Sequence, residues 1–137
     1  VKVLITGSRE WRDRWAVEDV LNRLLRRYGV FTLIEGEARG ADKLSGVWAA
    51  RHLPEDSLVK VPVTPQEWDL HGNGAGHKRN QRMVNMGPDM VLVFALACTS
   101  SRCRRPEEHA THGTEGCVAM ARKANIPVFF CPQGLRW

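Results

Sequence analysis

The sequence predicts an α/β domain, a mostly parallel sheet with helices on both faces. Three observations carry that expectation. Short apolar runs rich in β-branched residues recur along the 137 residues, and strands of that kind need cover on both faces. Between them lie segments whose apolar residues return every three or four positions. The two signals alternate, which is the pattern of right-handed βαβ units.

Residues 1–6 read as the first strand, ending at Gly7. Asp13 stands as N-cap of a helix in which Trp15, Val20, Leu21, Leu24, Leu25 and Tyr28 recur, and Gly29 closes it. Residues 31–34 form a second strand. A helix follows over 42–52, turning Leu44, Val47 and Trp48 inward until Pro54 stops it. Residues 58–63 are a third strand, with Pro62 tolerated only near its end. A short helix over 79–86 stops at Gly87-Pro88, and 90–94 is the most buried-looking strand. The last helix spans 115–125 with Val118, Ala121 and Ala124 inward, and 127–131 close as a fifth strand. No repeat or linker divides the chain, so one domain over 1–137 is expected. Residues 95–112 are long for a βα loop, and such insertions are usually functional or disordered.

Composition excludes several classes. Hydrophobic residues at 43% and charged residues at 26% rule out a disordered or collagen-like chain. No apolar run approaches the length of a transmembrane helix, so no membrane partner is expected. Four cysteines are too few for a disulfide scaffold, and the first residues show no signal-peptide cleavage pattern. Both point to a reducing, cytoplasmic setting. The net charge of +5 suits a phosphate-bearing ligand or weak nucleic-acid contact, without a dominant basic tail.

Open α/β sheets bind ligands beyond the carboxyl ends of their strands, and four clusters fall there. In Gly7-Ser8-Arg9, with Trp11 and Asp13 beyond, Gly7 permits a tight turn, Ser8 can donate to phosphate or sugar, and Arg9 can fork onto phosphate. Trp11 either stacks on a base or packs inward. In the segment 36–42, Gly36, Gly40 and two alanines let backbone approach a ligand. There Asp42 either caps the next helix or accepts from a ribose hydroxyl. Residues 72–80 carry three glycines and then His77, Lys78, Arg79 and Asn80, a polar lid or a flexible surface loop, with Trp68 before it as a pocket wall. In His112-Gly113-Thr114-Glu115, Gly113 and Thr114 offer N–H groups and a hydroxyl to phosphate, unless Thr114 is a plain N-cap.

The insertion holds a C-x4-C-x5-H-x2-H array, Cys98, Cys103, His109 and His112. The chain has four Cys and five His, and two of each fall within 98–112. Such clustering in a polar loop without a core of its own is what a structural Zn²⁺ site needs. Cys117, a helical turn beyond Gly113, is an alternative fourth ligand that would free His112 to face the pocket. The competing reading is a loop of reduced thiols and solvated imidazoles.

Read in order, Gly7-Ser8-Arg9 with Trp11 and Asp13, Gly40-Ala41-Asp42, Ala75-Gly76-His77-Lys78-Arg79-Asn80 and Gly113-Thr114 resemble the SLOG superfamily. In particular they resemble its small YspA-like, cpYpsA-related branch, common in bacteria and phages. The likeness runs along nearly the whole chain outside the insertion. It implies a Rossmann-like, three-layer α/β/α arrangement with strand order 3-2-1-4-5, and a pocket for a nucleotide-derived ligand, ADP-ribose- or NAD-like or a nucleoside phosphate. On this reading Ser8, Arg9, Gly113 and Thr114 hold phosphate, Asp42, Arg79 and Asn80 meet ribose or base, and Gly7, Trp11 and Gly40 line the site. Relatives that pair through helices make a homodimer an expectation, and distant kinship with the DNA-processing protein DprA makes nucleic-acid binding an alternative.

The resemblance extends distantly to LOG-type phosphoribohydrolases, which split a nucleoside 5'-monophosphate into base and ribose 5-phosphate. Those enzymes place a catalytic glutamate three residues after the threonine of a Gly-Thr motif, and here that position is Cys117. Arg79 and Glu115 are the catalytic candidates. Glu115 stands two residues away from the required place, a rotation of roughly 200° on a helix. Cleaving an N-glycosidic bond needs a carboxylate, and Asp13, Glu37 and Asp42 are the others near the motifs. Binding is therefore the leading reading and hydrolysis the alternative.

Overall fold

In the computed structural model, which describes residues 1–137, five strands form one sheet. They are β1 (Lys2–Gly7), β2 (Thr32–Glu35), β3 (Leu58–Lys60), β4 (Met90–Phe94) and β5 (Val128–Phe130), ordered β3-β2-β1-β4-β5. Every pairing is parallel. The α/β class and the strand order match the expectations. The helices are α1 (Arg14–Tyr28), α2 (Ala41–His52), α3 (Pro65–His71), α4 (Gly74–Asn85) and α5 (His112–Lys123). None is long and apolar enough to cross a membrane.

Alternation along the strands builds two cores. Val3 and Ile5 of β1 join Leu33, Leu92 and Phe94 beneath α1 and α2. Leu4 turns to the other face and joins Ile34, Val91 and Val93 beneath α4 and α5. Burying one such side chain stabilises by about 1.5–3 kcal/mol, so central strands that are apolar on both faces hold three layers together. Trp48 of α2 anchors the first core: it stacks on Phe31 with centroids 5.9 Å apart, and its Nε1 donates to Asn22 Oδ1 at 2.9 Å. At the start of α1, Asp13 accepts from the Ala16 N–H at 3.0 Å, the predicted cap.

Several expectations need correction. Trp15, Tyr28 and Val47 are exposed, as is Ala124, which lies just past α5. In α1 the buried residues are Ala16, Val17 and Leu21, and at 100° per residue Trp15 lies about 200° from Val17. In α2 the buried face is mostly small, with Ala41, Asp42, Ser45, Gly46 and Ala49 beside Trp48, and Val47 points away from it. The glycine-rich stretch is not an open lid. From Gly74 onward it is helix α4, because Ala75, Arg79, Asn80, Met83 and Val84 form one buried stripe. Ahead of it stands α3, absent from the sequence reading, whose Thr64 and Glu67 form a capping box with Pro65 at the first turn. The last helix starts at His112, with Thr111 as its N-cap, so Thr114 lies within the first turn rather than at the cap. The third strand stops at Lys60, two residues before Pro62.

Candidate functional site

Strand order reverses between β1 and β4, the place where open parallel sheets accept ligands. The segments leaving β1, β2 and β4 meet there. Gly7, the last residue of β1, is required for close packing more than for a turn: a Cβ on it would stand 2.6 Å from both the Ala41 Cβ and the Phe94 oxygen. Ser8 is buried, and its hydroxyl faces the interior. It accepts from the Leu96 N–H at 2.8 Å and pairs with the Thr111 hydroxyl at 2.7 Å, which in turn donates to the Thr114 hydroxyl at 3.2 Å. This hydroxyl chain ties the end of β1 to the start of α5. Trp11 is also buried, edge-on to Phe94, with its Nε1 donating to the Asp13 carbonyl at 2.9 Å. Of the first cluster, only Arg9 reaches solvent over the crevice.

The turn after β2 is organised by buried charge. Asp42 does not cap α2. Its Oδ2 accepts from the N–H groups of Gly36 (3.0 Å) and Ala38 (3.4 Å), bracing the turn from beneath. Arg79 reaches across from α4, and its guanidinium donates to the Gly36 carbonyl and to Asn80 Oδ1 (2.9 Å). Asn80 extends the link to α5 by donating to the Gly113 carbonyl at 3.3 Å. Glu37 holds a left-handed φ of 56°, a strained geometry for a residue with a side chain. The Glu35 carboxylate accepts from its N–H at 2.6 Å. Burial pushes Glu35 up to about 7 against that hydrogen bond, with the charges of Asp42 and Glu37 adding to the rise. Burial likewise pushes Asp42 up to about 6, opposed by the nearby Arg79 charge.

Above this turn lies a cleft of about 330 Å³ whose lining includes Arg9, Glu37, Arg39, Lys43, Trp68 and Arg79. The single carboxylate in its wall, Glu37, is paired with Lys60 at 3.4 Å. A second cleft adjoins it, sharing Arg9, Arg39 and Lys43 and adding Arg12. Together they present a surface on which Arg9 and Lys43 are exposed, Arg12 and Arg39 pair with Glu10, and one partly exposed indole, Trp68, stands at the edge. Of the predicted ligand residues, Arg9 and Arg79 line the first cleft, while Trp11 and Gly40 line the second. Ser8, Asp42, Asn80 and Thr114 support the walls from beneath. Glu35, Arg39 and Lys43 were not singled out from the sequence. A carboxylate closing the apolar run Leu33-Ile34-Glu35 just before a glycine was the available signal for the first of them.

The model of the YspA, cpYpsA-related SLOG family matches residues 1–71. Over 129 residues the chain is 39% identical to the Gene 61 protein of Mycobacterium phage D29, covering 93% of each. The chain belongs to the YspA, cpYpsA-related SLOG family. Among solved structures, this family member is similar to DNA processing protein A of Helicobacter pylori, described for its single-stranded DNA binding mode. That likeness has a TM-score of 0.62 at 18% identity, over 99% of this chain and 67% of the other. It is also similar to DNA processing protein A (DprA) of Streptococcus pneumoniae, with TM-score 0.65 at 16% identity, over 94% of this chain and 49% of that one. At those identities the likeness is one of fold.

Two features around α5 bear on what this SLOG member can do chemically. Glu115 points away from the cleft and pairs with Arg105 at 2.7 Å on the outer side of α5. Cys117 is fully buried in the second core, where burial pushes its thiol up to about 11, so it offers neither a carboxylate nor a reactive thiolate. The second feature is the loop before α5. The ligand atoms of Cys98, Cys103, His109 and His112 converge there, all within 4.8 Å of one another, a group able to hold a metal ion.

Proposed function

We propose that the whole chain acts as one binding domain for a nucleotide-derived ligand carrying phosphate, ADP-ribose- or NAD-like or a nucleoside phosphate. One observation carries this reading: Arg9, Arg39, Lys43 and Arg79 surround a cleft whose only carboxylate is already paired, with an indole at its rim. Arg9 and Lys43 take the phosphates, since both side chains are exposed. Trp68 offers its face to a base. Arg79 and Asn80 hold the floor beside the ribose, with Asp42 fixing the turn that Gly36 and Gly40 complete. Gly7, Ser8, Trp11, Gly113 and Thr114 set the relative positions of β1 and α5.

The test is a thermal-shift series with ADP-ribose, NAD, nucleoside monophosphates and cyclic dinucleotides. A ligand at 100 times its Kd adds about 2.7 kcal/mol to stability. Arg9→Ala, at an exposed position, should leave the unliganded melting temperature unchanged and weaken binding about tenfold, about 1.4 kcal/mol. Absence of a shift with every ligand would overturn the proposal. Incubation with nucleoside monophosphates, followed by assay for free base and ribose 5-phosphate, separates binding from hydrolysis. Glu37 is the carboxylate that lines the cleft, and its Gln variant should abolish any product.

A second reading, single-stranded nucleic acid, draws on the adjoining clefts that place Arg12 beside Arg9, Arg39 and Lys43, and on the DprA-like fold. Here an oligonucleotide binds with an affinity that falls steeply with salt, and Arg12→Ala makes that slope shallower by about one unit. An affinity indifferent to Arg12 would exclude this reading. A homodimer would show in the sedimentation of the purified chain.

A further inference from the structure

We propose that Cys98, Cys103, His109 and His112 bind one structural Zn²⁺ that clamps the β4–α5 loop to the first residue of α5. This is independent of what the cleft binds.

The four ligand atoms lie within 4.8 Å of one another, and three of the distances among them fit a tetrahedral S₂N₂ site. With Zn–S near 2.3 Å and Zn–N near 2.0–2.1 Å, tetrahedral ligands should lie about 3.6 Å apart for S and N, and about 3.3 Å apart for two N atoms. Cys98 Sγ stands 3.5 Å from His112 Nε2, Cys103 Sγ stands 3.3 Å from His109 Nε2, and the two Nε2 atoms are 3.2 Å apart. The His109 tautomer is also set for metal. Its Nδ1–H donates to the Glu107 carbonyl at 2.8 Å, which leaves a lone pair on the Nε2 facing the cluster.

The chain around the cluster is built to bring it together. Ala97 and Ala110 form an antiparallel bridge, with the Cys98 N–H donating to the His109 carbonyl at 2.7 Å and the Thr111 N–H donating to the Leu96 carbonyl at 3.1 Å. That bridge sets Cys98 beside His109 at the base of the loop. A turn from Ser100 returns Cys103 toward them, its N–H donating to the Ser100 carbonyl at 3.1 Å. Between residues 98 and 112 only Ala110 is buried, so the loop has almost no apolar core to order it. Thiolate and imidazole in a four-ligand set favour zinc over magnesium or calcium, and four protein ligands leave no open position for catalysis. Cys117 is not in the set: it lies buried in the core beneath α5. His112 opens α5, directly after Thr111 of the hydroxyl chain to Ser8, so the metal would fix the α5 side of the crevice.

The protein should be made without a histidine tag in zinc-supplemented medium and its metal content measured. About one equivalent of zinc is expected, lost in Cys103→Ser and in His109→Ala and kept in Cys117→Ala. Should a variant fail to fold, the wild type decides alone. Exchange for Co²⁺ should give the intense visible bands and thiolate charge-transfer absorption of a four-coordinate sulfur–nitrogen site. Chelation should also open the loop to trypsin at Arg102 and Arg104. Less than about a tenth of an equivalent of zinc, with no such cobalt spectrum, would overturn the proposal. So would loss of metal from Cys117→Ala with the fold intact, or an intact mass showing a Cys98–Cys103 disulfide in freshly purified protein.

Discussion

Gly40→Ala should destabilise the protein by about 2–4 kcal/mol and remove ligand binding with it. Gly40 precedes α2 at φ 85° and ψ −132°, a region that residues with a side chain hardly enter. A Cβ there would lie 2.7 Å from the Arg9 carbonyl oxygen and 2.8 Å from its carbonyl carbon, with the Ser8 oxygen closer still. All three are backbone atoms, so no rotamer change relieves the clash. The loop carrying Ser8 and Arg9 must instead lift off the start of α2, which takes Arg9 away from the cleft. Urea unfolding should show a lower midpoint with an unchanged slope, and the nucleotide thermal shift should vanish. Gly76→Ala is the contrasting case. That glycine lies inside α4 with nothing near its missing Cβ, so alanine should add about 0.5–1 kcal/mol. Equal stabilities for the two variants would contradict the packing described for the Ser8–Gly40 contact.

The second large effect is a loss of stability as pH rises toward neutrality. Glu35 is pushed by burial from 4.5 to about 7. Between those values the folded protein keeps a proton that the unfolded chain has released. Stability is therefore full below about pH 4.5 for this group and declines until the pH passes about 7, by up to about 3 kcal/mol. Asp42 acts in the same direction over a lower window, from 3.8 to about 6. The Asp42 charge adds to the rise of Glu35, so the two titrations are linked. Glu35→Gln keeps an oxygen to accept the Glu37 N–H and removes the ionisation. Its stability should exceed the wild type by up to about 3 kcal/mol at pH 8 and differ little near pH 4. Urea titrations across that range give the answer, and a wild-type profile flat from pH 5 to 8 would mean that Glu35 is solvated.

How far the fold was legible follows from where the apolar residues stand. Val3, Leu4 and Ile5 of β1 are buried on both faces and so form an unbroken run that betrays a central parallel strand. In α4 the buried stripe includes Arg79 and Asn80, and those two polar residues break the helical periodicity that would otherwise have been read through Ala75, Met83 and Val84. The capping box of Thr64 and Glu67 was present in the sequence, but α3 buries none of its residues and so gave no apolar signal. Site residues were legible as types and less so as roles. Ser8 and Thr111 are 103 residues apart, and only the tertiary structure turns their hydroxyls toward each other instead of toward a ligand. The Cys/His cluster was legible because its members are close in sequence and need only a hairpin to converge.

The guanidinium of Arg79 occupies the volume that a side chain at position 36 would need: a Cβ on Gly36 would stand 2.6 Å from the Arg79 Cζ. The two positions are therefore coupled in inheritance. A descendant that gains a side chain at 36 must shorten or re-aim residue 79 and give up its bond to the Gly36 carbonyl, and a chain that loses the arginine is released from glycine at 36. Across homologous chains, a side chain at 36 should accompany a residue shorter than arginine at 79, while glycine at 36 should tolerate either.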